Sequence, residues 1–294
     1  MRAPSRRSLI AFTAGFIGVM ASAVASAWAP AASADDAYQG SWRISFVSGT
    51  TIDLGLSHHS DHGSWEMSDT MAFDAASLRG LTLDDVKNAT GDKHFQIVRD
   101  AGSFDCNGYF RTGIGSGVFA FAPSATFAAA LDSRGLGRPD EKDQFELALA
   151  NVTIAFVDGL RAAGVTGLSA KALVTLADHD VNGKYVAALN ANGVRAASVD
   201  ELVRLRDHDV APEFIAGLGK FGYHPSADEL VRLRDHDVAA DYVAGLWKDG
   251  YRPSVDELVR LRDHDVSLDF IARLQSHGYH PNIDDLIRLR DSGM

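Results

Sequence analysis

The sequence predicts an α+β protein: a small N-terminal antiparallel β domain followed by an α-solenoid of about five 28-residue helical hairpins plus a terminal half repeat. Three observations predict it. Ser198-Val-Asp-Glu-Leu-Val-Arg-Leu-Arg-Asp-His-Asp-Val210 recurs from Ser226 and from Ser254, with a truncated copy from Asn282, and Leu202, Leu230, Leu258 and Leu286 hold one slot at a 28-residue period. Every copy carries the start and stop chemistry of helices. Upstream of the repeats, residues 38–122 alternate apolar and polar residues between glycine-rich breaks, the pattern of short strands.

Residues 1–34 read as a cleavable signal peptide. Arg2, Arg6 and Arg7 precede an apolar run from Leu9, and Ala32-Ser33-Ala34 offers a small-x-small cleavage site, with Ala25-Ser26-Ala27 as the alternative. Arg6-Arg7 also resembles a twin-arginine signal, but paired arginines are common in Sec signals and the Sec route is expected first. The expected location is periplasmic or secreted. The run is too short and too rich in Gly and Ala for a membrane anchor, and no other segment is long and apolar enough to span a bilayer.

Residues 35–123 form the predicted β-rich domain. Trp42, Ile44 and Phe46 alternate, as do Ile52, Leu54 and Leu56 after a turn at Gly49. Phe95 and Ile97 lead through Asp100-Ala-Gly102 into Phe104 and Cys106, a turn is expected at Asn107-Gly108, and Gly113, Gly115 and Gly117 read as a glycine-rich connection before Phe119 and Phe121. A partial barrel or a sandwich would both suit this pattern. Cys106 is the single cysteine, so no internal disulfide is possible; alternating with Phe104, it is expected to be buried. Residues 124–138 form a connecting helix and linker, with Ser124 as a candidate N-cap.

Residues 139–294 form the predicted array. Ser198 with Glu201, Ser226 with Glu229 and Ser254 with Glu257 are capping boxes opening the first helix of each hairpin, and Asn282 with Asp285 is a weaker version. The helix ends near His208, and the following slot holds Asp209, Asp237, Asp265 and, in the last copy, Gly293. A left-handed residue is expected there, which Gly accepts freely and Asp tolerates. Asp200 and Arg204 stand four apart with the acid first, the favourable order for a helical ion pair. In the second helix, Phe214, Ile215 and Leu218 make the apolar stripe, and Gly222, Gly250 and Gly278 end the helix, each before a tyrosine. Weaker copies extend upstream through Leu176, Val181, Tyr185, Leu189 and Gly193, and through Leu147, Val152, Phe156, Leu160 and Gly164.

The run Phe95-Gln-Ile-Val-Arg-Asp-Ala-Gly-Ser-Phe-Asp-Cys-Asn-Gly-Tyr-Phe110, the later Gly115-Ser-Gly-Val-Phe-Ala-Phe-Ala-Pro123 and the Leu-Arg-Asp-His-x-Val repeats together resemble a family of exported or membrane-tethered bacterial proteins. Similar repeats follow the peptidase domain of some membrane metallopeptidases related to beta-lactam sensors. The resemblance covers most of residues 40–294. The His-Glu-x-x-His motif of those peptidases does not occur in this sequence, so the resemblance implies the periplasmic accessory portion without the enzyme.

Charge narrows the partner class. The chain carries 28 Lys and Arg against 39 Asp and Glu, net −11, and loss of the three signal arginines would take it to −14. Nucleic acid is excluded as a partner by that balance, and anionic lipid is disfavoured. His58, His59 and His62, with Asp61, are the one dense cluster of metal-ligating residues; the alternative is a solvated loop between two strands. His179, His208, His236 and His264 are expected to cap helix C-termini. Arg204, Arg232 and Arg260, with Arg206, Arg234 and Arg262, either grip an anionic partner or pair with Asp207, Asp235, Asp263 and Asp291. Trp247 stands where other copies carry Gly219 and Gln275, so the repeat does not require an aromatic there; it marks either an interface or a filled gap.

The leading expectation is a non-enzymatic periplasmic binding or scaffold protein, needing no cofactor, that presents the array to a protein or peptide of the bacterial envelope, with envelope sensing among its expected duties. Trp247, Arg204, Arg232, Arg260, Lys220 and Lys248 are its expected contacts. The alternatives are a metal-binding protein or metal-dependent hydrolase at His58, His59 and His62, and a structural spacer of the envelope.

Overall fold

A computed structural model describes residues 38–60, 63–196 and 198–293. The signal-peptide reading of residues 1–34 therefore lies outside the described residues. Among the described residues the chain forms seven strands and thirteen helices, an α+β layout. It divides into two compact units, one running to Ile154 and the other spanning Ala155–Met294.

The first unit is built on one antiparallel sheet. Its strands are β1 (Gln39–Ser48), β2 (Thr51–Ser60), β3 (Gly63–Ala72), β4 (Leu78–Arg79), β5 (Thr90–Arg99), β6 (Gly102–Arg111) and β7 (Ile114–Pro123), in the order β3-β2-β1-β7-β6-β5-β4. Alternation fixes its faces. Trp42, Ile44, Ile52, Leu54, Leu56, Phe95, Ile97, Phe104, Cys106, Phe110 and Phe119 are buried on one side. Burial pushes the Cys106 thiol up to about 12, with neighbouring Asp105 adding to the effect.

Two sequence expectations are overturned here. Asn107-Gly108 is not a turn, and Gly115 and Gly117 are not a connection. All four lie inside β6 and β7, where Asn107 faces Val118, Gly108 faces Gly117 and Phe110 faces Gly115. The turn falls at Thr112 and Gly113, both with positive φ. The glycines make room for rings: a Cβ on Gly108 would sit 2.6 Å from the Trp42 ring, and one on Gly115 would sit 2.4 Å from the Phe110 ring. The Trp42 indole lies over this gap and donates from Nε1 to the Asn107 carbonyl at 3.2 Å.

Three helices belong to the same unit. Helix α1 (Leu83–Asn88) is opened by a Thr82–Asp85 capping box. Helix α2 (Ala125–Ser133) is capped by Ser124, as expected. Helix α3 (Glu141–Leu149) packs on β6 and β7. Its Phe145 inserts among Tyr38, His58, Phe104, Phe119 and Phe121, with ring centroids 4.9–6.4 Å away. The division between the units thus falls inside the degenerate first repeat copy, because Phe145 is committed to the core of the sheet.

The second unit is helical: α4 (Ile154–Ala162), α5 (Ala170–Asp178), α6 (Gly183–Ala191), α7 (Val199–Asp207), α8 (Pro212–Gly219), α9 (Ala227–Asp235), α10 (Ala240–Lys248), α11 (Val255–Asp263), α12 (Leu268–Ser276) and α13 (Ile283–Asp291). The caps are where the sequence put them. Ser198, Ser226 and Ser254 accept from the N–H of Glu201, Glu229 and Glu257, and the latter two glutamates return the bond to the cap N–H. Asp180, Asp209, Asp237 and Asp265 have φ of 52–54° and Gly293 has 79°, so the slot after each helix is left-handed. Gly222, Gly250 and Gly278 end α8, α10 and α12 the same way, and the N–H groups of Tyr223, Tyr251 and Tyr279 reach back to Leu218, Leu246 and Leu274.

Each helix packs on the one two places further along. Helices α5, α7, α9, α11 and α13 touch in succession, and so do α6, α8, α10 and α12. Leu202, Leu230, Leu258 and Leu286, which share one slot, are buried at 0–3% exposure.

Candidate binding surface of the helical repeats

Contacts from one repeat to the next follow the same register as the sequence. His179 Nδ1 donates to Asp207 at 2.6 Å, and His208, His236 and His264 donate likewise to Asp235, Asp263 and Asp291 at 2.5, 2.5 and 2.9 Å. These histidines occupy the C-cap position by backbone, but their rings bond the next repeat rather than the carbonyls of their own helix. The C-capping expectation is corrected to that extent.

The arginines divide into two sets. Arg204, Arg232 and Arg260 pair with Asp228, Asp256 and Asp284, the last at 2.8 Å. The expected pairs Arg204–Asp200 and Arg204–Asp207 do not form; Arg204 reaches across to the next repeat's copy of Asp200. Stacking sets the basic last turn of one helix beside the acidic first turn of the next, so side-chain charge and helix dipoles agree. Arg206, Arg234, Arg262 and Arg290 lie over Tyr185, Phe214, Tyr242 and Phe270, 5.2–6.0 Å from the ring centroids. The tyrosines among those rings also donate forward: Tyr185 to the Val210 carbonyl at 3.0 Å and Tyr242 to the Val266 carbonyl at 2.6 Å. Burial pushes both hydroxyls up to about 12.

The hydroxyls at the helix ends make a further link. Tyr223 donates to the Pro253 carbonyl, and Tyr251 donates to the Pro281 carbonyl at 2.9 Å. The tyrosine expected to pack locally across the cap therefore also bonds the next repeat. Tyr279, in the last copy, is 64% exposed.

Of the expected contact residues, Lys220 and Lys248 are exposed. Arg204, Arg232 and Arg260 are about half exposed, at 45–49%, with one side engaged in their ion pairs. Trp247 is half-buried. Its ring lies 5.2 Å from Phe221 and 6.3 Å from Tyr223, and Arg252 covers it at 4.0 Å. It fills a gap between repeats.

His58 and His59 do not converge. Both lie in β2, opposite Trp65 and Ser64, so they project from opposite faces. His58 is 5% exposed and donates from Nδ1 to the Gln39 carbonyl at 2.5 Å; His59 is exposed. His62 and Asp61 lie outside the described residues. Among the described residues no three His, Cys, Asp or Glu side chains come together as a metal site, and no helix is long and apolar enough to cross a membrane.

No protein-family model matches this chain, and neither a curated protein nor a solved structure matches it.

Proposed function

We propose that the second unit is an α-solenoid and that the protein is a non-enzymatic binding or scaffold protein whose stacked repeats hold a protein or peptide of the bacterial envelope. The repeat-to-repeat ladder of His–Asp, Arg–Asp and Arg–aromatic contacts supports this reading most directly. It fixes each hairpin against the next in one register, and solenoids use such stacking to build extended contact surfaces from weakly specialised units. The half-exposed guanidinium groups of Arg204, Arg232 and Arg260 recur along one row, and Lys220 and Lys248 mark the ends of the second helices. Surface ion pairs of this kind contribute roughly 0–1 kcal/mol each, so the row can exchange its own carboxylates for a partner's at small cost. Export rests on the basic-apolar-small pattern of residues 1–34, and placement in the periplasm follows from it. No cofactor is called for.

Deleting residues 198–281 removes three whole periods and joins Ala197 to Asn282 in register. Affinity capture from envelope extract with the full chain and with this deletion separates the readings. A partner held only by the full chain supports the array as the binding surface; a partner held equally by both refutes it and leaves the repeats as a spacer.

A further inference from the structure

One slot of the second helix is filled by a different planar side chain in almost every copy, and each reaches back to the preceding repeat. Asn190 Nδ2 donates to the Ala163 carbonyl at 2.9 Å. Trp247 Nε1 donates to the Tyr223 hydroxyl at 3.4 Å. Gln275 Nε2 donates to the Asp249 carbonyl at 3.1 Å. The copy between Asn190 and Trp247 holds Gly219, and a Cβ built there meets nothing within 4 Å. A cleft of about 610 Å³ opens at that place, between Asn192 and Gly193 of one repeat and Ile215, Gly219 and Tyr223 of the next. Its size is that of a ligand cleft. The charged or titratable groups on its lining, apart from the Tyr223 hydroxyl, are Lys220 and His224, and no carboxylate lines it among the described residues. In a chain of net charge −11 that is a local inversion of sign.

We propose that this cleft binds an aromatic residue flanked by an acidic one in a partner peptide. The ring takes the place that Trp247 fills one repeat later, against Val194, which stands where Trp247 has Tyr223, and Ile215, and the carboxylate meets Lys220. Trp247 shows that the repeat geometry accepts an indole in this slot; its neighbours Tyr223 and Arg252 correspond to Val194 and His224 on the cleft at Gly219. The neighbouring cleft at Ala163–Leu202, whose slot carries Asn190, is about 240 Å³, consistent with the missing side chain at Gly219 giving the larger opening. This inference deepens the array reading by naming a site and a chemistry within it.

The test is titration of the full chain with acetyl-Trp-Asp-amide and with its neutral counterpart acetyl-Trp-Asn-amide, followed by amide chemical shifts. Saturable binding is expected for both, several-fold tighter for the acid, with shifts centred on Gly193, Gly219 and Tyr223. Gly219 is the last residue of helix α8 and its φ is not positive, so an L-residue fits the backbone there. Gly219→Trp and Gly219→Gln restore side chains that the repeat already uses at this slot. Both should fold, as judged by circular dichroism, and abolish binding. Lys220→Gln should remove the preference for the acid. Absence of saturable binding at millimolar peptide, or undiminished binding by a folded Gly219→Trp variant, overturns the proposal. If the peptides fail while deletion of residues 198–281 still releases a partner, the cleft is wrong and the array reading stands.

Discussion

Gly183 offers the sharpest test of how the repeats are held. The start of α6 crosses α4 at a glycine pair: a Cβ on Gly183 would lie 2.2 Å from the Gly159 carbonyl oxygen and 2.3 Å from its carbon. Both atoms are backbone of a packed helix, so no rotamer change relieves the overlap, and the helices must separate by about 1 Å to reach ordinary van der Waals distance. Overpacking of a well-packed contact costs about 1–3 kcal/mol. The alanine gains at most about 1 kcal/mol of helix propensity in return, and less at a first-turn position. Gly183→Ala should therefore destabilise the helical unit by about 2 kcal/mol. Gly245 provides the control. Its added Cβ would meet Leu268 Cδ1 at 2.2 Å, the far end of a flexible side chain that can turn away, so Gly245→Ala should lie within about 1 kcal/mol of wild type. Native-state hydrogen exchange of amides in α4–α6 and α10–α12 reads the two sites separately, which a single melting curve of a repeat array does not. Unchanged protection of α4–α6 in Gly183→Ala, or a larger loss for Gly245→Ala, would refute the reasoning.

Asp237 has φ of 54°, and Asp237→Gly should raise stability by about 0.5–1 kcal/mol in urea denaturation, because relief of a left-handed L-residue outweighs the extra chain entropy of glycine; a loss of stability speaks against that balance. Cys106 is fully buried with its thiol pushed up to about 12, so iodoacetamide at pH 8 should label it only in denaturant, and labelling at the rate of a free thiol contradicts the packing of β6. The Lys93 ammonium, 2.5 Å away, and the Thr82 hydroxyl hold the Asp85 carboxyl below the usual carboxylate range. A depressed folded-state pKa stabilises the fold above the unfolded-state value and ceases to do so as pH falls through the folded one. Asp85→Asn should accordingly be less stable than wild type at pH 7, with the difference shrinking in acid; a difference that grows in acid has the wrong sign.

The helical half was legible because its determinants are local. A serine followed three residues later by glutamate, a left-handed slot filled by Asp or Gly, and a glycine–tyrosine ending specify where each helix starts and stops whatever surrounds it, and the repeated sequence made these signals unmistakable. The alternation of Trp42, Ile44, Ile52 and Leu54 likewise identified strands and their buried face.

The glycines of β6 and β7 were read wrongly because a glycine in a turn and a glycine under a ring look alike in sequence. Only the register, which sets Gly108 beneath Trp42, Gly117 against the backbone of Asn107 and Gly115 against Phe110, tells them apart. The polar repeats were misassigned for a related reason. Arg204 has Asp200 one turn before it on the same helix, but stacking presents the next copy of that residue, Asp228, beside the guanidinium, and no single repeat contains that information. Thr82 with Asp85 carries the same local helix-start signal, but the helix it opens spans only Leu83–Asn88 and shows no apolar period of its own.

By itself, then, the sequence determined the helices of the repeats, where they are capped, the spacing of the repeats and the buried face of the first strands, since backbone hydrogen bonding, capping and apolar periodicity act over a few residues. Which histidine bonds which aspartate, where the rings of Trp42 and Phe110 are lodged against glycine, and why Gly219 leaves a cleft were decided by packing between successive repeats or between different strands. A contact of that range depends on two surfaces that exist only once both have folded.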